Sequence, residues 1–553
     1  MEEYCLNYKT VYSDVLVLGG GVAGLRAAVA AAQNGACTVI VSKETCASPE
    51  IMGFNAPVMP GDSEELYFQD LEASGYGVND SRLARVLSEN VLKEVEWLEN
   101  NGIHFDRDGN GMYSAIHTLG TKYPRLIKAG ISTGSAEMKM LKEKCAELGI
   151  RRDMPVDILG LLTAEGSVLG AYAWDSKNGQ LLRYFAKAVV LAVGGCGAMQ
   201  SFSTYPASII GDGYAMAYEA GASLVDMEFQ QFEPCCFIWP KEIEGKVIAT
   251  TLLRHGAELL NGEGRDFMPD YGLTRDNAQK GSLARAMESE VRAGRGTPHG
   301  GIYYNLTMMS REFLYRDHAI FTRPTLSVGM DLTKVMPEMM PAAHTNLGGV
   351  TVDGRCATEI KGLYACGEVI GGLHGANRLG GCAGAETVVF GHIAGDSASA
   401  YAATAGAPDG LAEEAWQKAE LELGRLLEQV GDVELGSIRK RLGECLHDCL
   451  GIMRDGESIA KAAQTAAELT AELEKARISG MDDAAEYIHC RNMLLLAGMQ
   501  IKASDMRRES RGVFYRSDYP NSNDAEWRRN IIIRKSGSGM ELSVRDAVKN
   551  INF

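Results

Sequence analysis

The sequence predicts an α/β protein in which a Rossmann-like nucleotide-binding domain is interrupted by an insertion and followed by a helical domain. Three observations predict it. The apolar run DVLVL at 14–18 leads directly into a GxGxxG spacing, Gly19, Gly21 and Gly24, and then into an alanine-rich stretch. The glycine-rich texture stops near residue 235 and returns at 344. From 411 to 503 the pattern is almost uniformly helical.

In order along the chain, DVLVL reads as a buried strand and GGGVAGLRAAVAAAQNG as a tight turn opening a helix that ends at Gly35. The first glycine permits the turn, the second lets backbone approach a pyrophosphate, and the third lets helix pack on strand. The helix N-terminus then faces phosphate charge. CTVIVSK is the second strand. It ends in Ser42 and Lys43, with Glu44 just beyond, where an acidic residue ordinarily holds a ribose. A hydroxyl also binds a ribose or phosphate. Residues 78–101 and 134–148 read as helices, and 155–194 alternates as a meander with a hairpin turn at SKNGQ. The stretch 235–343 is mixed and polar, rich in Met and Arg, and reads as an inserted domain. The last fifty residues are polar and irregular.

The formal charge of −17, with no long basic run, argues against nucleic acid as a partner. Apolar runs are strand-length, short of the roughly 20 residues a membrane helix needs. MEEYCLNYKT is acidic and lacks an apolar core, so no signal peptide is expected. Thirteen cysteines without a CxxC form neither a disulfide framework nor a cluster motif and fit reduced thiols in a cytoplasmic protein.

Several stretches together carry a resemblance: VSK after the second strand, LAVGGCG, IIGDGYAMAYEAGA with MEFQQF, HTNLGGV, ACGEVIGGLHGANRLGG with VVFG, and ESRGVFYRSDYP. The set resembles the flavoprotein family of fumarate reductase, succinate dehydrogenase and L-aspartate oxidase, over residues 12 to 530. The resemblance implies a Rossmann-like FAD-binding domain (1–234 and 344–405), an α+β capping domain over the substrate (235–343), a C-terminal helical domain (406–505) and a tail (506–553). Some members attach the flavin to a histidine shortly after the second strand. ETCASPEIMGFNAPVMPGD has none, so non-covalent FAD is expected. Asn55 and Ala56 should lie near the isoalloxazine. Gly194, Gly195, Asp212, Glu368 and Ala383 should complete the cofactor site, with Glu368 on the adenosine ribose.

For the substrate, the resemblance makes Arg275, in LTRDNA, the proton donor and Arg254 its relay, with Thr250 a hydroxyl donor. A salt bridge to Asp276 is the alternative for Arg275. Thr251 stands where the family's relay has a glutamate, and His255 or water could substitute. His344 and Arg378 match the pair that grips a substrate carboxylate. Glu233 stands where the family has a histidine that reads a second carboxylate. An anion there repels a second carboxylate, unless it is protonated or lies outside the pocket. The next residues, Cys235 and Cys236, read as buried spectators.

The expected activity is reduction of an activated C=C bond in an enoate other than fumarate, with a small substrate bearing at least one carboxylate. Electrons would come from an iron–sulfur or flavin partner protein, free reduced flavin, or a nicotinamide. Two further readings stay open. One is an amino-acid or dicarboxylate oxidase, in which Glu233 holds a substrate ammonium. The other is an electron-transfer component of a complex with an iron–sulfur partner.

Overall fold

The computed structural model describes residues 6–537 and 539–549. β1 (Tyr8–Leu18) runs into the glycine turn, α1 (Val22–Gln33) follows, and β2 (Thr38–Val41) returns beside β1 in parallel. On its other side β1 pairs in parallel with β8 (Gln180–Leu191), and β15 (Leu363–Ala365) pairs in parallel with the last residues of β8. β5 (Arg151–Asp153) extends the sheet beyond β2. At their carboxyl ends the strands therefore stand in the order β5-β2-β1-β8-β15. Residues 15–18 and 38–41 are all buried because helices cover both faces, which is why these strands read as continuous apolar runs. α1 packs on α8 (Cys382–Thr404) so closely that a Cβ on Gly395 would lie 2.2 Å from Ala27 O.

β6 (Asp157–Ala164), β7 (Ser167–Asp175) and β8 form the expected meander, with the hairpin closing between Asp175 and Gln180. The near face of the first domain adds α2 (Glu64–Ser74), α3 (Ser81–Asn100) and α4 (Thr133–Glu147), and a short pair, β3 (Phe54–Asn55) with β4 (Leu126–Ile127). α5 (Asp212–Glu219) and β9 (Leu224–Val225) lead into the insertion.

The insertion is a four-stranded antiparallel sheet in the order β10-β13-β12-β11, from β10 (Gln230–Trp239), β11 (Glu258–Leu260), β12 (Ile302–Asn305) and β13 (Glu338–Asn346). It carries α6 (Lys280–Glu290) and α7 (Ala319–Ser327) and has its own core around Phe237, Leu259, Met287, Tyr304 and Met339. The expected limits, 235 and 343, fall inside β10 and β13, which pair with each other at the root of the insertion.

α9 (Asp409–Leu427), α10 (Leu435–Cys449), α11 (Gly456–Leu473) and α12 (Met481–Met506) form the helical part. The tail differs from expectation. α13 (Asp524–Trp527) is followed by a hairpin, β16 (Arg529–Ser536) and β17 (Gly539–Asp546), and β16 joins β9 and β14 (Gly349–Val350) in a second four-stranded sheet. Only Asn530–Ile533 of the hairpin is continuously buried, so its sequence signal is a single short apolar run among charges. The ESRG stretch anchors this region: buried Arg507 donates to Glu228 at 2.6 Å and to Glu509 at 3.0 Å, and Arg511 donates to Glu509 at 2.7 Å. Among the described residues no helix is long and apolar enough to cross a membrane.

Candidate active site

A cavity of about 880 Å³ runs along the carboxyl ends of the parallel strands, from the glycine turn to the insertion. This is where open α/β sheets bind ligands.

At one end lie Gly19, Gly20, Gly21, Ser42, Lys43 and Gly194. Gly19 has φ +119°, and a Cβ on it would meet Ala192 O at 2.1 Å, so no side chain fits this turn. No acidic side chain occupies the first turn of α1, and Gly21 leaves its N-terminus without a side-chain cap, although Ser48 Oγ takes the Val22 N–H at 3.0 Å. A helix start open to a cavity suits a pyrophosphate. Gly24 sits behind the turn, where a Cβ would meet Gly19 O at 2.0 Å. Ser42 Oγ lies 2.6 Å from the position of a Cβ on Gly20, so it lines the floor at the end of β2.

Asp212 reaches the cavity but is already held. It accepts from Lys43 Nζ at 3.0 Å and from Asn492 Nδ2 at 2.9 Å, and it lies 3.0 Å from His489 Nδ1. Burial alone would lower His489, yet the charge of Asp212 overrides it and raises the imidazole to about 9. The cluster therefore ties α12 to α5 beneath the cofactor end.

Glu368, expected on the adenosine ribose, stands elsewhere. It follows β15, while the ribose end follows β2, and β1 and β8 lie between, three strand spacings or roughly 14 Å. Its carboxylate accepts from Tyr205 Oη at 2.6 Å and from Asn346 N at 3.0 Å, and burial raises it to about 7. Gly195 gives it room, since a Cβ there would meet Glu368 Oε1 at 2.1 Å. Ala383 lines the cavity at the start of α8. Asn55 and Ala56 do not. Asn55 braces the cavity wall from behind, donating to Gly380 O at 2.8 Å, and the Ala56 N–H bonds Arg125 O at 2.9 Å.

At the other end the structure brings together His344, Arg378, Glu233 and Thr250. Glu233 on β10 is registered with Ala342 on β13. Side chains two apart on a strand share a face, so His344 and Glu233 are diagonal neighbours on one side of this ribbon. Thr204 Oγ1 lies 2.7 Å from His344 Nδ1, which leaves the other ring nitrogen to a ligand. Burial, then the charges of Arg378 and Lys280, hold this imidazole well below 6.5, so it is neutral. Arg378 is buried, its Nη1 donates to Leu379 O at 3.2 Å, and its Nε has no partner. Thr118 Oγ1, also on the cavity, is likewise buried and unpartnered. Such atoms in a cavity fit a site completed by a ligand.

Two expected residues, Arg275 and Arg254, do not line the cavity in this structure. Arg275 has a half-exposed side chain 3.8 Å from Glu258, rather than paired with Asp276. Arg254 approaches Asp276 at 3.5 Å and His117 O at 3.4 Å. The physical reason is local: Thr274–Asn277 is a turn closed by the Asn277 side chain on the Thr274 N–H at 2.7 Å, and α6 begins only at Lys280. From the start of α6, Lys280 reaches the cavity, and its ammonium is ion-paired with Glu233. Glu233 is thus in the pocket but neutralised, not an open anion facing substrate. Lys280, Thr204 and Tyr205 escape a reading of the sequence. Lys280 lies just past Arg275, in no motif, and STYP carries no motif of its own. Cys235 and Cys236 are buried, and burial, then the charge of Glu233, pushes both thiols far up, as spectators should be.

Comparison with known proteins places this geometry among relatives. A family model described as FAD binding domain matches residues 14–383, and one described as fumarate reductase flavoprotein C-term matches 439–551. A subunit of the fumarate reductase (CoM/CoB) of Methanothermobacter marburgensis is 34% identical over 94% of this chain and 97% of that protein. The L-aspartate oxidase of Vibrio cholerae serotype O1 is 29% identical over 92% and 96%. A mutant FrdA chain of E. coli quinol fumarate reductase superposes with a TM-score of 0.91 at 30% identity, covering 98% of each chain.

Proposed function

Because the chain belongs to the FAD-binding flavoprotein family of the fumarate reductases and L-aspartate oxidases, we propose that this FAD-dependent oxidoreductase reduces the C=C bond of an enoate carrying one carboxylate. When bound, FAD supplies two-electron hydride chemistry at its N5. The residues present fit it: a glycine cradle that side chains would fill, a helix start whose N-cap glycine offers no side chain, and a cavity of about 880 Å³ that runs on from it. With no histidine between residues 44 and 62, we take it to be held non-covalently.

One observation carries the substrate class. Beside His344, Arg378 makes no ion pair with a carboxylate among the described residues, whereas Lys280 is matched by Glu233. A guanidinium fork suits bidentate capture of a carboxylate. His344, neutral and held at Nδ1 by Thr204, would orient the same group, and the Thr250 hydroxyl would bind beside it. A second substrate carboxylate would meet Glu233 without a free cation to receive it. The reverse chemistry on an amino acid needs an open anion for the ammonium, and Glu233 already holds Lys280. Electrons are supplied by a partner protein, in keeping with a relative that is by name one subunit of its reductase.

The test is to reduce the protein anaerobically, mix it with fumarate, acrylate, crotonate, cinnamate and monomethyl fumarate, and follow the return of oxidised flavin absorbance. Mono-acid enoates should reoxidise it fastest. Preference for fumarate by about tenfold or more, some 1.4 kcal/mol of transition-state binding, would overturn the reading.

A further inference from the structure

We infer that Ser203 and Thr204 are positioning residues for His344: together they hold its ring as the tautomer with the proton on Nε2, so that this N–H is what the imidazole offers to the substrate carboxylate. This rests on the enoate reading above and deepens it at one side of the carboxylate grip.

A neutral imidazole carries one ring proton, and the partner of one nitrogen decides where it sits. The partner of Nδ1 is Thr204 Oγ1 at 2.7 Å. A hydroxyl can donate or accept, so this contact alone leaves two answers. The neighbouring hydrogen bonds leave one. The Tyr205 N–H donates to Ser203 Oγ at 3.1 Å, and Ser203 Oγ donates to Ala343 O at 3.1 Å. The Thr204 N–H donates to the same carbonyl at 3.0 Å. A carbonyl oxygen has two lone pairs, and both are then taken. Thr204 Oγ1 stands 3.4 Å from Ala343 O, a stretched contact for an O–H donor, against 2.7 Å to Nδ1. Its proton therefore goes to Nδ1, and the ring's own proton is on Nε2.

The arrangement follows from an open strand edge. β12 pairs with β13 only at Glu338 and Met339, which leaves β13 free at Ala343. Residues 202–204 take that edge: the Ala343 N–H donates to Phe202 O at 3.0 Å, and Ser203 bridges Ala343 in parallel. Tyr205 then meets the His344 ring edge to face, with centroids 5.8 Å apart. Gly197 makes room for both, since a Cβ there would lie 2.6 Å from Tyr205 Cδ2 and 2.9 Å from His344 O. Ser203, Thr204, Tyr205 and His344 all line the cavity. Burial, then the charges of Arg378 and Lys280, keep the ring neutral, so one proton is all it has to offer. An N–H aimed in advance needs no turning when a carboxylate arrives.

The experiment uses the FAD-loaded full chain labelled with [15N]histidine. Long-range 1H–15N correlation separates a bare ring nitrogen from a protonated one, and His344→Gln identifies the His344 signals by their loss. In wild type near neutral pH, Nδ1 should be bare and Nε2 protonated. The reverse pattern, or an imidazolium, would overturn the inference. Ser203→Ala vacates a lone pair of Ala343 O and lets the Thr204 hydroxyl turn, so the Nδ1–H form should appear in its spectrum. An unchanged spectrum would overturn the role given to Ser203. Thr204→Val keeps the shape and removes the hydroxyl. It should lower kcat/KM for the fastest enoate of the panel by about tenfold or more, chiefly through KM, with FAD content as in wild type. Thr204→Ser keeps the hydroxyl and should restore kcat/KM to within about threefold of wild type. A role in packing alone gives the opposite order, retention with Val and loss with Ser, and that order would overturn the inference. A wild type that no enoate reoxidises overturns the enoate reading, and the wild-type spectrum then judges the tautomer on its own.

Discussion

The paired charges of Glu233 and Lys280 decide how the substrate end is read. With the pair intact, Arg378, which has no carboxylate partner among the described residues, is the grip we propose for a substrate anion. Glu233→Gln frees the Lys280 charge, so the kcat/KM ratio of fumarate over a mono-acid enoate should rise by about tenfold or more, measured in steady state. An unchanged ratio would show that the pair does not read substrate charge. Arg378→Met removes the grip and should raise KM and lower kcat/KM by about 1000-fold. At this scale the sequence is half legible. His344, Arg378, Glu233 and Thr250 carry motif context and meet in one cavity. Lys280 does not, because its role depends on where α6 starts, and residues 274–277 close a turn that no periodicity announces. Glu368 stands at the other end from the ribose because its distance from Ser42 is set by strand order, which GLYACGEV does not contain.

Two elements position the cofactor end. The first is the turn between β1 and α1. Gly19→Ala would set a methyl 2.1 Å from Ala192 O at φ +119°, so the purified variant should carry less than about a tenth of the wild-type FAD, read from the flavin-to-protein absorbance ratio. The second is the joint of α5 and α12 through Asp212 and His489. The folded imidazole, at about 9, lies above its ordinary 6.5. Its contribution to stability is therefore whole below pH 6.5 and is lost as pH rises through about 9. The Tm gap between wild type and His489→Gln should be widest near pH 6 and close by about pH 10, and a gap that stays constant would contradict this. Most elements are legible where one face repeats or a strand is buried on both sides, as in β1, α3 and the β6–β8 meander. The hairpin β16–β17 is not, because its stability comes from β9, some 300 residues away, and half of it faces water.

Across the whole molecule, the insertion leaves and re-enters through β10 and β13, and those strands carry Glu233 and His344. The sheet below supplies the glycine turn and Glu368, and the loop before α8 supplies Arg378. Tyr76 Oη donates to Gln279 Oε1 at 3.0 Å and Lys246 pairs with Glu50 at 2.9 Å, joining the insertion to the first domain on either side of the cavity. The proposed substrate end thus lies between parts that pack separately, and Arg378 there keeps a buried Nε without a partner. The most direct test compares two acceptors with the same double bond and different charge. The reduced protein is mixed with fumarate or with monomethyl fumarate, and kcat/KM is read from flavin reoxidation. The account predicts that the monoester is favoured by about tenfold or more, and a preference for fumarate of that size would contradict it.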